Sequence, residues 1–80
     1  MMKRNRLDIC ADLVRVARGG ARKTHLVYRA NLNFRVLQPY LRLLIDKGLI
    51  IEKPPYYTST EKGEEFLHYY KMLNTNMQLA

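Results

Sequence analysis

Apolar residues recur at helical spacing near the start of the chain. Over residues 6–18 the charged side chains lie on one side of a helical projection and the apolar ones on the other, namely Cys10, Leu13, Val14 and Ala17. This is the period of an amphipathic helix that packs on a core. The pair Gly19-Gly20 then predicts that the helix ends.

Two further helices are predicted close together. Thr24 is a good N-cap for a helix over about residues 24–31, and Asn31 at its end tolerates the left-handed conformation. Asn33 can cap a third helix over about residues 33–47, whose inward residues are expected to be Phe34, Leu37, Leu41, Leu44 and Ile45. The short connection between the two helices is that of a helix-turn-helix unit.

After Gly48, which is expected to end the third helix, the pattern changes to that of two short strands. Residues 49–51 and 56–58 favour β-structure, and a Glu-Lys-Pro-Pro sequence lies between them. Because proline cannot donate to a β-ladder, Pro54 and Pro55 belong in a loop or on an edge. Residues 49–59 are therefore predicted to form a hairpin.

A last helix is predicted to open after Thr60 and to cover residues 61–80. Its apolar residues have the spacings 4, 3, 4 and 3, and they are Phe66, Tyr70, Leu73, Met77 and Ala80. This is a heptad seam, but it spans barely two heptads where a convincing coiled coil needs about three or four. The seam therefore favours equally a dimer interface and simple packing on the chain's own core.

The order of helix, helix, helix, hairpin and helix predicts a mainly helical α+β domain, a winged helix-turn-helix with a C-terminal dimerisation helix. Residues 1–60 would form the winged-helix domain and residues 61–80 the last helix. A chain of 80 residues can build only one small core, so its stability is marginal. Dimerisation is the simplest way to add to that stability.

Charge is distributed unevenly along the chain. Lys and Arg number 14 against 7 Asp and Glu, which gives a formal net charge of +7 and a sequence pI near 9.9. Residues 1–42 hold ten of the basic and only two of the acidic side chains, and no carboxylate occurs between Asp12 and Asp46. So long a field of one sign favours a polyanionic partner over a merely solvated surface.

Enzymatic chemistry is not expected, and neither is a cofactor or a small-molecule substrate. No phosphate-binding glycine loop is present, and Cys10, His25 and His68 lie on separate predicted elements without the spacing of a zinc site. A single cysteine points to a reducing compartment, here the cytoplasm, and Cys10 is expected in the core. No apolar run approaches the roughly 20 residues of a membrane span.

The sequence also resembles a family of small archaeal winged-helix DNA-binding proteins, which includes dimeric chromatin proteins and predicted transcription regulators. The resemblance covers about residues 7–73. The residues that carry it are Tyr28-Arg29-Ala30-Asn31-Leu32-Asn33-Phe34, Leu41, Leu44, Lys47-Gly48-Leu49-Ile50, Tyr57, Thr60-Glu61-Lys62-Gly63 and Glu65-Phe66-Leu67. It implies a two-stranded wing, a recognition helix starting near Asn33 and a homodimer whose last helices pair antiparallel. The expected location is the cytoplasm, in association with the nucleoid.

The DNA-binding residues are predicted from the outward side of the third helix and from the elements beside it. A helix in the major groove reads bases with its N-terminal turns, where Asn33, Arg35 and Gln38 can hydrogen-bond. The residues predicted to contact phosphates or flank the helix are Arg22, Lys23, Thr24, Arg42 and Lys53. The predicted dimer interface comprises Phe66, Tyr70, Leu73 and Met77.

The centre of the recognition helix offers few polar groups. Val36 and Pro39 can make only apolar contacts there, so specificity is expected to be modest. Proline inside a helix costs about 3 kcal/mol, and a kink at Pro39 would change how the helix meets DNA. Tyr28 and Tyr70 are expected at core or seam positions, which leaves Tyr56 or Tyr57 free at the wing.

The leading interpretation is a homodimeric protein that binds double-stranded DNA, either as a transcription regulator or as a nucleoid-associated protein. The alternative is a protein–protein interaction module of a transcription assembly, which would bury the outward apolar pair Val36 and Leu43. A third interpretation, binding of single strands or RNA, would appear as a preference for unpaired oligonucleotides.

Overall fold

The computed structural model describes residues 4–79 of the chain, with side chains over residues 4–75. The order of its elements is that predicted from the sequence. They are α1 (Arg6–Val16), α2 (Lys23–Arg29), α3 (Phe34–Asp46), β1 (Ile50–Lys53), β2 (Tyr56–Ser59) and α4 (Glu61–Leu79). The mainly helical α+β fold with a two-stranded wing is therefore confirmed.

Local sequence signals fix both ends of α1. The Asn5 side chain accepts from the backbone N–H of Asp8 at 2.8 Å, and the Asp8 carboxylate accepts from the Asn5 N–H at 3.0 Å, which is a capping box. At the other end the helix stops at Val16, two residues before the expected end. Gly19 and Gly20 follow with φ of +76° and +97°, a region that favours glycine.

The expected N-cap of α2 at Thr24 is wrong. The cap is Arg22, which uses no side-chain hydrogen bond, and Thr24 lies inside the helix with its side chain exposed. The cause is tertiary, because Ala21 pairs in antiparallel fashion with Tyr57 of the wing through bonds of 2.9 and 2.7 Å. This pairing keeps the chain extended as far as Arg22.

The turn into α3 follows the sequence closely. Asn31 has a φ of +56°, and the Asn33 side chain caps α3 by accepting from the N–H of Val36 at 2.8 Å. Pro39 lies exposed within α3, which continues to Asp46 as a single helix. The inward position expected for Phe34 is wrong, since it is 51 % exposed. The buried stripe of α3 begins only at Leu37.

The wing is a two-stranded antiparallel sheet. Its register runs from Ile50 opposite Ser59 to Lys53 opposite Tyr56, so the two prolines form the connecting loop, as expected. Ser59 fastens the base of the wing by donating its hydroxyl to the backbone oxygen of Val14 in α1.

The core lies between α1 and the other elements. Its buried residues come from all three early helices, both strands and α4, and Cys10 is among them as expected. At the start of α4, Thr60 donates its hydroxyl to the Gly48 oxygen at 2.6 Å and accepts from the N–H of Gly63 at 3.0 Å. Gly63 is itself buried, because α4 crosses close to the backbone at Leu49.

Candidate nucleic-acid interface

The outward side of α3 carries the polar side chains predicted to read bases. Asn33, Arg35 and Gln38 are all exposed. The Asn33 carbonyl oxygen is already used in capping α3, so its amide NH2 is the group left for an outside partner. Between them Val36 is half-buried and Pro39 is exposed, and neither side chain can hydrogen-bond.

A cleft of about 510 Å³ lies between α3, the wing and the first residue of α2. It brings together three of the predicted DNA-binding residues, and its full lining is Lys23, Gln38, Pro39, Leu41, Arg42, Ile45, Glu52 and Tyr57. Asn33, Arg35 and Thr24 lie outside it. Two cationic side chains and an amide donor thus converge beside the predicted recognition helix.

Two more predicted residues belong to the wing side of this surface. The Arg22 guanidinium lies over the ring of Tyr56, 5.4 Å from its centroid, a distance within the range of cation–π attraction. Lys53 is exposed at the last position of β1. Of the two wing tyrosines expected to be free, Tyr56 is exposed and Tyr57 is buried.

The ion pairs leave this surface positive. In the part of the chain that the structure describes, they join Arg4 and Arg15 to Asp12 and Arg18 to Glu64, each at 2.8 Å. Arg4 precedes α1, Asp12 and Arg15 belong to α1, Arg18 follows it, and Glu64 belongs to α4. The basic residues predicted to bind DNA form no ion pair with any described residue, so their charge is free to attract an anion.

A second groove, of about 730 Å³, lies between α1 and α4. Its arginines are Arg15 and Arg18, which are both already paired with carboxylates. The Arg18 guanidinium lowers the pKa of the Glu64 carboxyl by hydrogen bonding and by its charge. Lys71 also lines this groove, and it is the one cation of the lining that forms no ion pair with a described residue, whereas both cations of the cleft beside α3 are unpaired.

Comparison with known proteins concerns the fold that carries this cleft. A model of the winged helix-turn-helix family matches residues 3–78. The chain belongs to the winged helix-turn-helix family. Among solved structures, this winged helix-turn-helix protein is similar to Sso10a-2, a DNA-binding protein from Sulfolobus solfataricus, with 27% identity and a TM-score of 0.80. The match covers 95% of this chain and 85% of Sso10a-2. Comparison with curated proteins gave no match.

These findings confirm the resemblance to small archaeal winged-helix DNA-binding proteins drawn from the sequence. They do not test the individual residues assigned to DNA or to a dimer interface, which remain predictions. Among residues 4–79 of this winged helix-turn-helix protein, no group of three or more potential metal ligands occurs, and no helix is long and apolar enough to cross a membrane.

The predicted dimer residues divide between two environments in this winged helix-turn-helix protein. Phe66 and Tyr70 are half-buried against the chain's own core, and the Tyr70 hydroxyl donates to Asp8 in α1. Leu73 is 50% exposed, whereas the side chain of Met77 lies outside the described residues. Among the side chains of α4 that the structure describes, the most exposed apolar ones are Tyr69, Met72 and Leu73.

Two features of the surface were not predicted from the sequence. Tyr28, expected at a core position, is 84% exposed, and Glu52 lines the otherwise basic cleft. Glu52 stands directly opposite Tyr57 in the wing. The register of the predicted hairpin would have indicated that pairing, but not that the strand turns the carboxylate towards α3.

Proposed function

We propose that this protein binds double-stranded DNA, with α3 in the major groove and the start of α2 and the wing on the flanking backbone. The observation that carries the proposal is the cleft beside α3, where Lys23, Gln38 and Arg42 converge without neutralising ion pairs among the described residues. The DNA-binding relative Sso10a-2, which matches over almost the whole chain, supports the same partner.

The proposed contacts divide into two kinds. Asn33, Arg35 and Gln38 contact base edges, because they lie exposed in the first turns of α3. The remaining contacts go to phosphates, which supply affinity without reading sequence, and they come from Arg22, Lys23, Thr24, Arg42 and Lys53. With at most three base-reading side chains, specificity is modest, roughly ten- to a thousand-fold over random duplex. Such a protein acts as a nucleoid-associated protein or as a regulator of low selectivity.

We also propose that the protein acts as a homodimer through α4. The exposed stripe of Tyr69, Met72 and Leu73 supports this, since an apolar helix face gains stability by burial against a second copy. Phe66 and Tyr70, which pack on the core of the same protomer, then support the interface from behind. Met77 would extend the interface along α4.

The experiment is a titration of fluorescent duplex DNA over a series of salt concentrations. About four to six phosphate contacts per protomer give a log–log slope on the order of −4 to −5 for one domain, and a steeper one for a dimer. Arg42→Ala is expected to reduce the size of that slope by about 1. Arg15→Ala is the matched control, because it removes the same charge from a residue that is already paired with Asp12.

A second arm separates base reading from phosphate binding. Arg35→Ala should reduce the ratio between the affinity for the best sequence of a random duplex library and the average affinity for the library. Arg22→Ala should instead lower the affinity for all sequences by the same factor. The proposal fails if no duplex binding appears at low salt, or if single strands are preferred. Binding to a protein partner that buries Leu43, which is 43% exposed, would then favour an interaction module.

A further inference from the structure

A carboxylate lies inside the cleft beside α3. Glu52 of β1 lines that cleft together with Lys23 and Arg42, yet it forms no ion pair within 4.0 Å with either of them or with another described residue. Its carboxylate is therefore not held in a direct ion pair by the cations that share the cleft. A surface built only to attract phosphates would be expected to lack such a group.

The position of this carboxylate is fixed by the wing. Tyr57 stands opposite Glu52 in the sheet and donates its hydroxyl to Glu52 Oε2 at 3.1 Å. The tyrosine itself is immobilised, because it is buried and its backbone pairs with Ala21 through two hydrogen bonds. Burial, and then Glu52 itself, raise the pKa of the Tyr57 hydroxyl, so it remains a donor at physiological pH.

The cleft lies where a DNA backbone would pass. An α-helix with its side chains is about 10–12 Å across and the major groove is about 12 Å wide. A helix seated in that groove therefore brings the phosphates of the groove edge directly beside its flanks. The cleft lies along one flank of α3. It is lined by Arg42 of that helix and by Lys23 at the start of α2. The backbone that these two cations attract would meet the carboxylate of Glu52.

We infer that Glu52 limits the affinity of this protein for duplex DNA by holding a fixed negative charge against the phosphates that enter the cleft. The inference rests on the proposed function and deepens it. Lys23 and Arg42 attract the backbone, Glu52 opposes it, and the Tyr57 hydroxyl prevents the carboxylate from swinging away. The same repulsion acts on every sequence, since phosphates are common to all of them.

The test compares two variants that each remove one negative charge. Glu52→Gln keeps the shape of the side chain and an oxygen that can accept from Tyr57. Glu65→Gln is the matched control, because Glu65 is exposed on α4 and does not line the cleft. Affinity for a random-sequence duplex is measured by fluorescence anisotropy, starting at about 50 mM salt, and melting temperatures are recorded for both variants and the wild type.

Glu52→Gln is expected to bind about three- to tenfold more tightly than the wild type at low salt, as a single screened charge interaction predicts. The gain should shrink as salt screens the cleft, and Glu65→Gln should gain much less. The melting temperature of Glu52→Gln should stay that of the wild type, so that the effect is not one of folding.

Three results would overturn the inference. An equal gain in both variants would indicate only the change in net charge, and an unchanged affinity in Glu52→Gln would place the carboxylate away from the backbone. A loss of affinity confined to particular sequences would mean that Glu52 accepts a hydrogen bond from a base, as carboxylates do from cytosine N4. If the wild type itself binds no duplex, the proposed function fails, which is a separate outcome.

Discussion

Asp8 connects the N-terminal cap of α1 with α4. One of its carboxylate oxygens accepts from the Asn5 N–H at the start of α1, and the other accepts from the Tyr70 hydroxyl of α4. The hydrogen bond from Tyr70, and then that from Asn5, hold the pKa of the Asp8 carboxyl below its ordinary value of 3.8. The ionised form of Asp8 thus contributes to holding α4 against α1.

Acidification is therefore expected to destabilise the protein in a definite direction. Because the folded-state pKa of Asp8 is lowered, its contribution is fully present above the ordinary carboxyl pKa of 3.8 and is lost as pH falls through the folded-state value. Asp8→Asn should lower the melting temperature at pH 7 and reduce its fall between about pH 5 and pH 2. The measurement is thermal unfolding against pH.

Tyr70→Phe provides the matching change on α4, since it removes the donor and leaves the ring. Its melting temperature should be lower than that of the wild type at neutral pH, and the difference should narrow in acid. Some acid sensitivity will remain in both variants, because the pKa of Glu64 is lowered by Arg18 in the same way. Parallel pH profiles for wild type and Tyr70→Phe would contradict this role of the hydrogen bond.

Single residues were predicted from the sequence less well than the elements that contain them. Asn31 and Asn33 have the conformations that their residue types favour, because turn and cap geometry is local. The predictions for Thr24, Phe34 and Tyr28 were wrong because tertiary contacts, and not the local sequence, determine the cap and the burial of these residues. The pairing of Ala21 with Tyr57 moves the start of α2. Phe34 and Tyr28 have the spacing of inward residues, but they lie beyond the edge of the core and are exposed.

At the scale of elements, the contact between α4 and the wing depends on Gly63. A Cβ atom at this position would overlap the backbone oxygen of Leu49 and lie 3.2 Å from Cγ1 of Val14. The absence of a side chain therefore allows α4 to cross the start of the wing closely while Thr60 caps it.

Gly63→Ala should consequently destabilise the fold despite the better helix propensity of alanine. Overpacking against backbone typically costs about 1–3 kcal/mol, which lowers the melting temperature of a domain of this size by roughly 4–8 °C per kcal/mol. Lys62→Ala, at the exposed neighbouring position, should change stability by less than about 0.5 kcal/mol. Equal melting temperatures for the two variants would mean that α4 can shift without cost.

The elements themselves could be predicted because each has a strong local period. Helix α1, helix α3 and the hairpin were found from spacing, glycines and prolines, with ends that differ by one or two residues. The burial of α4 was harder to predict. The predicted seam placed Phe66, Tyr70 and Leu73 on one face. The structure buries Gly63 and Leu67 instead, so Phe66 and Tyr70 are only half-buried at the edge of the buried stripe and Leu73 is 50% exposed.

At the scale of the whole molecule, the proposed homodimer leads to a test of the oligomeric state. We expect wild-type protein to sediment as a dimer at tens of micromolar, an order-of-magnitude choice for a modest interface, and its melting temperature to rise with concentration. Leu73→Glu should give a monomer, since it puts a charge into the proposed apolar stripe. Thr75→Glu is the control with the same charge change at an exposed position of α4. A monomeric wild type would show that the stripe stays solvated.

The backbone pairing of Ala21 with Tyr57 has a consequence for the thermodynamics of association. Arg22 directly follows Ala21 and lies over Tyr56, which directly precedes Tyr57, so the start of α2 is joined to the wing by two backbone hydrogen bonds and a cation–π contact. Because this pairing is present in the protein alone, we expect it to reduce the backbone entropy that is lost on binding. The entropy that association does remove would come mainly from ordering the long side chains of Arg22, Lys23 and Lys53. The backbone of the interface would then be preorganised, while its cationic side chains could adjust to the positions of the phosphates.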